Sequence, residues 1–369
     1  MLFRILHVLL WLATAVAVGG FLWIAGRNLG YAGAFDYTEL AVEEQTARLA
    51  GAEPFYVEPS ADGTPASMPG LPVATWLMTG GMGADLWLPR LLSLLATLGA
   101  AAIVFVIVTS ETGKRTLGAS SAGLMLMGCG LLAGPPGPAR PEAVMLLLVL
   151  AGCLVVRKWA GWAGAVLGSV LMVAACFTHQ LAVWPAAAVL VWLAIEDRTR
   201  MLIFAGGLAV LGAGGYVALS HLLGPWFNFH AWDAAIQSVE FHPARLLAFV
   251  GGELLGTLGV LTLTGVLSFA LPVRPWRGPT GIWTCVAITA VTAALLATQS
   301  GSAWPHAVLP AVAALALVGP ISIQKVTQHL SAWPGSNRLG GQGIVLGALA
   351  LQFLALFSVL PPSLFSPPG

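Results

Sequence analysis

Residues 87–109 read WLPRLLSLLATLGAAAIVFVIVT, a run whose only charge, Arg90, lies in its first turn. A helix over these residues is long enough to cross the hydrocarbon core of a bilayer, about 30 Å at 1.5 Å per residue. Neither face of it would be at home in water. Working outward, runs of the same character recur at 3–25, 117–134, 141–156, 160–178, 181–195, 201–222, 244–272, 280–298, 306–323 and 341–360. The chain is therefore expected to be an all-α polytopic membrane protein with about eleven transmembrane helices, forming a single transmembrane domain over 1–369 with no separate soluble domain. Composition points the same way: 58% of the 369 residues are hydrophobic and 8% charged, too few ionic groups to cover a water-exposed surface of this size.

The 44 glycines suit helices that approach closely in lipid, and Gly252 with Gly256 is one place where such an approach is expected. Trp23, Trp87, Trp159, Trp226, Trp276 and Trp304 stand where apolar runs meet polar ones, the level at which interfacial rings belong. The first run opens Met1-Leu2-Phe3-Arg4 and continues to about Ala25 without a polar cleavage region, so it reads as a retained helix rather than a signal peptide. A net charge of +1, without a basic run, argues against nucleic-acid binding. Cys129, Cys153, Cys176 and Cys285 are isolated within apolar runs and read as packing residues. Phosphate-loop, serine-hydrolase and zincin motifs are absent.

Basic residues beside the spans set the orientation. With the N-terminus in the cytoplasm, Arg4, Lys114, Arg115, Arg157, Lys158, Arg198, Arg200, Arg274, Arg277, Lys325 and Arg338 fall inside. Arg27, Arg48, Arg90, Arg140 and Arg245 fall outside, and so does the C-terminus. The acids segregate the other way, with only Glu111, Glu196 and Asp197 inside. The expected location is the bacterial plasma (inner) membrane, with its chemistry at the outer face. Three outer segments are longer or richer than a plain connection requires: the first loop, 26–86, then 135–142 and 223–243. Within the first loop, 37–50 and 71–80 suit short interfacial helices, the former placing Leu40, Val42, Ala47 and Leu49 among acids.

Ionisable residues at a membrane boundary are costly and hence candidates for function. At the outer face these are Asp36 and Glu39 after the first span, Arg90 opening the second, Arg140 and Glu142 at a Pro-bracketed turn, His179 and Gln180 closing the fifth, His230 and Asp233 in 223–243, and His306. Glu53, Glu58 and Asp62 read as solvated loop acids, and His7, His221 and His329 as residues at the ends of spans. His179, His230, His242 and His306 lack the spacing of a metal site. Glu253 is the one acid expected within a span.

The order of these features resembles a known family. Phe35-Asp36-Tyr37-Thr38-Glu39, Arg48-Leu49-Ala50-Gly51 with Pro54-Phe55-Tyr56, and Leu88-Pro89-Arg90-Leu91-Leu92-Ser93 look like the first outer loop and second span of GT-C membrane glycosyltransferases. The likeness is to the protein-mannosyltransferase-like and aminoarabinose-transferase-like branch, glycosyltransferase family 39-like. Ala139-Arg140-Pro141-Glu142 resembles its Arg-x-Asp turn, Phe177-Thr178-His179-Gln180 its Thr-Lys-Gln, and 224–230 its aromatic outer segment. The resemblance implies a GT-C-like fold and a hexosyl- or pentosyltransferase that takes a sugar from a polyprenyl-phosphate donor in the membrane lipid and passes it to a glycan, lipid or protein acceptor. It implies Asp36 as catalytic base, with Arg90, Arg140, His179 and Gln180 binding the donor phosphate. Glu39, Glu142, His230, Asp233 and His306 are supporting residues. A divalent cation, Mg²⁺ or Mn²⁺, held by Asp36, Glu39 or Glu142 together with the donor phosphate is a further expectation. Glu142, His179 and Trp304-Pro305-His306 stand where that family has Asp, Lys and Asn-Tyr. Two other readings are a GT-C-like scaffold subunit that has lost catalysis and serves a larger membrane complex, and a transporter.

Overall fold

The first apolar run forms helix α1 (Leu2–Leu29), and two short helices, α2 (Tyr37–Ala50) and α3 (Gly70–Met78), separate it from α4 (Trp87–Thr112). There follow α5 (Arg115–Leu132), α6 (Pro141–Lys158), α7 (Trp162–Thr178), α8 (Val183–Glu196) and α9 (Arg198–Leu222). A helical segment α10 (226–237) leads to α11 (Pro243–Thr257), α12 (Gly259–Ala270), α13 (Gly281–Ala297), α14 (Leu309–Ser331) and α15 (Arg338–Ser358). This computed structural model describes residues 2–59, 68–83, 85–134, 136–237, 239–270, 278, 280–299, 308–331 and 338–360. Asp62, Arg274, Trp276, Arg277, Trp304, Pro305 and His306 lie outside the described residues.

Helices stand at all eleven apolar runs. Among the described residues, five are long and apolar enough by themselves to cross a bilayer, or six if a bent pair is taken as one span. The protein is an all-helical, multi-pass membrane protein. The two short helices of the first loop form where expected, yet α2 turns an unexpected face inward. Glu39, Ala41, Val42, Gln45 and Thr46 are buried, while Tyr37 and Leu40 are exposed.

Packing centres on α14, which is almost wholly buried and contacts α4, α5, α6, α12, α13 and α15. By contrast α9 is peripheral, with its apolar residues turned outward, as lipid allows. Gly252 and Gly256 do not make the expected close approach, having no side chain of another helix within 4 Å. A close approach does occur between α6 and α7, where a Cβ on Gly168 would meet Val156 Cγ2 at 2.2 Å and one on Gly152 would meet Gly168 O at 3.4 Å. Bare backbones touching in this way supply the van der Waals contact that hydrophobicity cannot supply between helices in lipid.

At the basic end of the bundle the three acids are each engaged. Glu111 takes Arg157 at 3.2 Å and the Trp283 indole N–H, Glu196 accepts Gly278 N–H at 2.7 Å, and Asp197 caps α9 through Arg200 N–H. Glu111 thus ties α4 to α6 and α13, and Glu196 ties α8 to the residue at 278.

The run 244–272 departs from expectation. It is not one helix but two, α11 and α12, meeting at a 92° bend. A break strands backbone groups that have no water to turn to. Gln352 of α15, fully buried, supplies both partners: its Oε1 accepts Leu261 N–H at 3.2 Å and its Nε2 donates to Thr257 O at 2.7 Å. Gln352→Leu is expected to cost about 1–3 kcal/mol for the two orphaned groups, seen as a lower unfolding temperature in detergent. An unchanged melting temperature would show that the break is satisfied by something else.

Candidate active site

The loop between α1 and α2 is gathered around a side chain from α4. Arg90 and Glu39 are both fully buried and form a two-pronged pair, Nε to Oε1 and Nη2 to Oε2, each at 2.8 Å. The remaining Arg90 donors go to main-chain oxygens: Nη1 to Asn28 O at 3.2 Å and to Tyr31 O, Nη2 to Gly33 O at 2.5 Å. Phe35 stacks over the guanidinium at 5.0 Å. Glu39 is equally occupied, since Oε2 also accepts Phe35 N–H at 2.9 Å and Oε1 also accepts Ala139 N–H at 2.7 Å. One ion pair therefore binds the end of α1, the start of α2, the start of α4 and the turn before α6. The assignment of Arg90 to a donor phosphate is corrected by this geometry: all five of its N–H groups are spent inside the protein.

That frame sets the next pair. Asp36 is the N-cap of α2, with Oδ1 accepting Glu39 N–H at 3.0 Å. Its other oxygen, Oδ2, faces Arg140 Nη2 at 3.3 Å. Arg140 is the N-cap residue of α6, and one hydroxyl holds its backbone. Ser93 Oγ accepts Arg140 N–H at 2.7 Å and donates to Arg140 O at 3.2 Å. Burial pulls the Arg140 guanidinium below the ordinary arginine value, while Asp36, Glu142 and Glu39 in turn push it back up. Arginine does not release its proton in proteins, so those carboxylates serve to keep a buried cation tolerable. Asp36 is the more open partner, its side chain 25% exposed against 10% for Arg140. A small cavity, walled largely by apolar residues, lies against Arg140, Ser93 and Thr97.

Glu142, in the first turn of α6, is buried and faces His179 Nε2 with Oε1 at 3.4 Å. His179 Nδ1 accepts Leu181 N–H at 3.2 Å, capping the short turn that begins at Gln180. Both ring nitrogens thus have partners within the protein, and His179 holds α7 to α6 rather than presenting a nitrogen to a phosphate. Glu142 Oε2 is different. It is buried and has no hydrogen-bond partner. Gln180, next to His179 in sequence, is half-buried.

Among the described residues no three of His, Cys, Asp or Glu gather into a metal site built by the protein alone. Glu39 moreover offers no oxygen that is not already doubly engaged.

His230 and Asp233 lie on α10, which packs against the first loop through Phe55, Tyr56, Phe227 and Ala231. His230 stacks on Tyr56 with ring centroids 5.3 Å apart, and its Nε2 is 3.0 Å from Val57 O. Burial pushes the Tyr56 phenol well above its ordinary value, only partly offset by a hydrogen bond with Gln45, so it remains a neutral packing ring. Asp233 is exposed. These residues fasten a cover over the loop and do not join the Asp36–Arg140 group. Three contributors carried no chemical signature in the sequence. Ser93 and Asn28 act through main-chain partners, the latter donating to Pro136 O at 2.7 Å. Gly70 admits the end of α7 so closely that a Cβ there would meet Thr178 at 2.7 Å.

No protein-family model matches the chain, and no curated protein sequence does. Solved structures do. ArnT from Cupriavidus metallidurans bound to undecaprenyl phosphate superposes with a TM-score of 0.60 at 14% identity, over 94% of this chain and 75% of that one. The same enzyme in the apo state gives 0.62 at 13% identity, over 94% and 74%. The fold is GT-C-like. Within that GT-C-like architecture the Glu39–Arg90 pair belongs to the scaffold and Asp36–Arg140 to its open side. Glu39→Gln, which leaves Arg90 buried beside a neutral amide, is expected to destabilise by about 3–5 kcal/mol. Asp36→Asn keeps a competent N-cap and is expected to shift thermal unfolding in detergent little; equal losses from both would contradict this division.

Proposed function

We propose that the protein is a lipid-linked sugar transferase, moving a hexosyl or pentosyl group from a polyprenyl-phosphate donor to a glycan, lipid or protein acceptor. The observation that carries the reading is the partly exposed Asp36 carboxylate set against the buried Arg140 guanidinium at 3.3 Å, with a cavity adjoining Arg140. The likeness in fold to an enzyme solved with undecaprenyl phosphate supports the donor class. In this reading the site faces outward from a bacterial inner membrane, with the N-terminus in the cytoplasm and the C-terminus outside.

The chemistry follows from the two groups. Asp36 Oδ1 is committed to the cap of α2, so Oδ2 takes the proton from the acceptor hydroxyl as its oxygen bonds to the anomeric carbon. The bond from that carbon to the phosphate oxygen breaks, and its electron pair stays with the polyprenyl phosphate. Arg140 stabilises the charge that gathers there, from a position already organised and desolvated. Glu142 Oε2, the buried acceptor without a partner, takes a hydrogen bond from a substrate hydroxyl. No step uses a metal.

In purified protein supplied with polyprenyl-phosphate sugars, Asp36→Asn is expected to lower kcat by about 10²–10⁴, the usual worth of a general base. Glu142→Gln is expected to raise KM for the donor with a smaller effect on kcat. Full activity of Asp36→Asn would overturn the mechanism. A protein that turns over no donor and is isolated only within a complex would favour the scaffold reading.

A further inference from the structure

The outer end of α9 and the start of α10 bring together polar groups that neither the Glu39–Arg90 frame nor the Asp36–Arg140 pair uses. Asn228 is exposed, yet its carbonyl side is held: Oδ1 accepts the Tyr216 hydroxyl at 2.8 Å and lies 3.2 Å from Ser220 Oγ. An amide whose oxygen is turned to the protein presents its two N–H groups outward, and among the described residues Asn228 Nδ2 has no partner. The residues that follow, Phe229–Asp233, form a π-helical turn, a distortion frequent at functional sites, whose hydrogen bonds run from i to i+5. In an α-helix residues five apart would point about 140° away from each other; the wider turn brings Asp233 back toward the face of Asn228. Tyr216 marks the result, since its phenol bonds Asn228 and also lies in the field of the Asp233 carboxylate. Asp233 is exposed and forms no ion pair among the described residues. Between the two stands Phe229, half-exposed, its ring nearly perpendicular to Trp226 at 6.2 Å and to His230 at 5.3 Å.

We propose that this group is a binding site for a carbohydrate acceptor, with Phe229 under the C–H face of one sugar ring and Asn228 and Asp233 at its hydroxyl rim; the proposal rests on the sugar-transfer reading above and narrows its acceptor to a glycan. A sugar ring shows C–H groups on its faces and hydroxyls around its edge, each hydroxyl able to donate and to accept. An aromatic ring beside one oriented donor and one carboxylate acceptor matches both features. A lipid headgroup is matched less well, because its phosphate seeks cations and the charge here is negative. An extended peptide is bound through a row of free main-chain partners, whereas α10 spends its main chain on its own helix. The position suits an acceptor that is longer than its reacting end. α10 is fastened to the first loop through Tyr56, and Tyr56 is hydrogen-bonded to Gln45 of α2, the helix that Asp36 caps. A glycan seated on α10 is thus held to the loop that carries the base, with further sugar units to span the interval.

The test uses the full chain in nanodiscs and a panel of neutral tetrasaccharides of glucose, mannose, galactose and arabinose, with binding read by saturation-transfer NMR in the absence of any donor. Saturable binding of at least one tetrasaccharide is expected. Asn228→Asp keeps an oxygen for the Tyr216 hydroxyl and removes the two N–H groups, and Asp233→Asn keeps the shape and removes the charge. Each is expected to weaken that binding about five- to tenfold, the worth of roughly one hydrogen bond, without lowering the unfolding temperature. In transfer assays the same variants are expected to raise KM for a glycan acceptor by a similar factor and to leave kcat unchanged. Asp85→Asn, at another exposed acid of the outer face, is the control and is expected to match wild type. Failure of every tetrasaccharide to bind, or binding that both variants leave unchanged, would overturn the glycan site. Transfer to a peptide or lipid acceptor with KM unchanged in both variants would also overturn it, while leaving sugar transfer standing. Variant-sensitive glycan binding in a protein that transfers no sugar from polyprenyl phosphate would instead overturn the sugar-transfer reading and keep the glycan site.

Discussion

The Glu39–Arg90 pair is the interaction on which the site depends. Two charges fully withdrawn from solvent are tolerable only when each lone pair and each N–H is met, and here all are: Arg90 spends five donors and Glu39 receives four. Its partners are mostly backbone atoms of the α1–α2 loop and of the turn before α6. The pair is therefore less a contact between two side chains than a mould for two loops that have no regular structure of their own.

From that mould the geometry of the candidate site follows by short covalent tethers. Asp36 is three residues from Glu39 and caps the same helix; Arg140 follows Ala139, whose N–H is bound by Glu39. Ser93, one turn along α4 from Arg90, fixes the backbone of Arg140. The carboxylate and guanidinium that face each other across the open side are thus each placed within a residue or a turn of a buried anchor. In the proposed reaction such support would limit the reorganisation needed as charge develops. The aromatic packing of α10 on Tyr56 closes the same loop from the other side.

Much of the outline was legible in the sequence. The apolar runs gave their helices, the two short helices of the first loop formed where alternating polarity suggested, and the group Asp36, Glu39, Arg90, Arg140, Glu142 and His179 came together. Roles were less legible. Arg90 and His179 resembled phosphate ligands because a cation at a membrane boundary looks the same whether it turns outward to a substrate or inward to a carbonyl. Glu39 looked like one more acid on an interfacial helix, although it lies on the buried face. The bend at Leu258 went unseen because the residue that makes it affordable, Gln352, is about ninety positions away.

What the sequence determined by itself was the solvent: with so few charges and so many long apolar runs, only a bundle of helices in lipid satisfies the backbone. It also determined which polar groups were rare enough to matter. Only the tertiary structure decided which of them are spent on holding the chain and which are left over. That distinction depends on partners 51 residues apart, as Arg90 is from Glu39, or 100 apart, as Ala139 is. Many of those partners are main-chain atoms, which every residue carries and no pattern of side chains can announce.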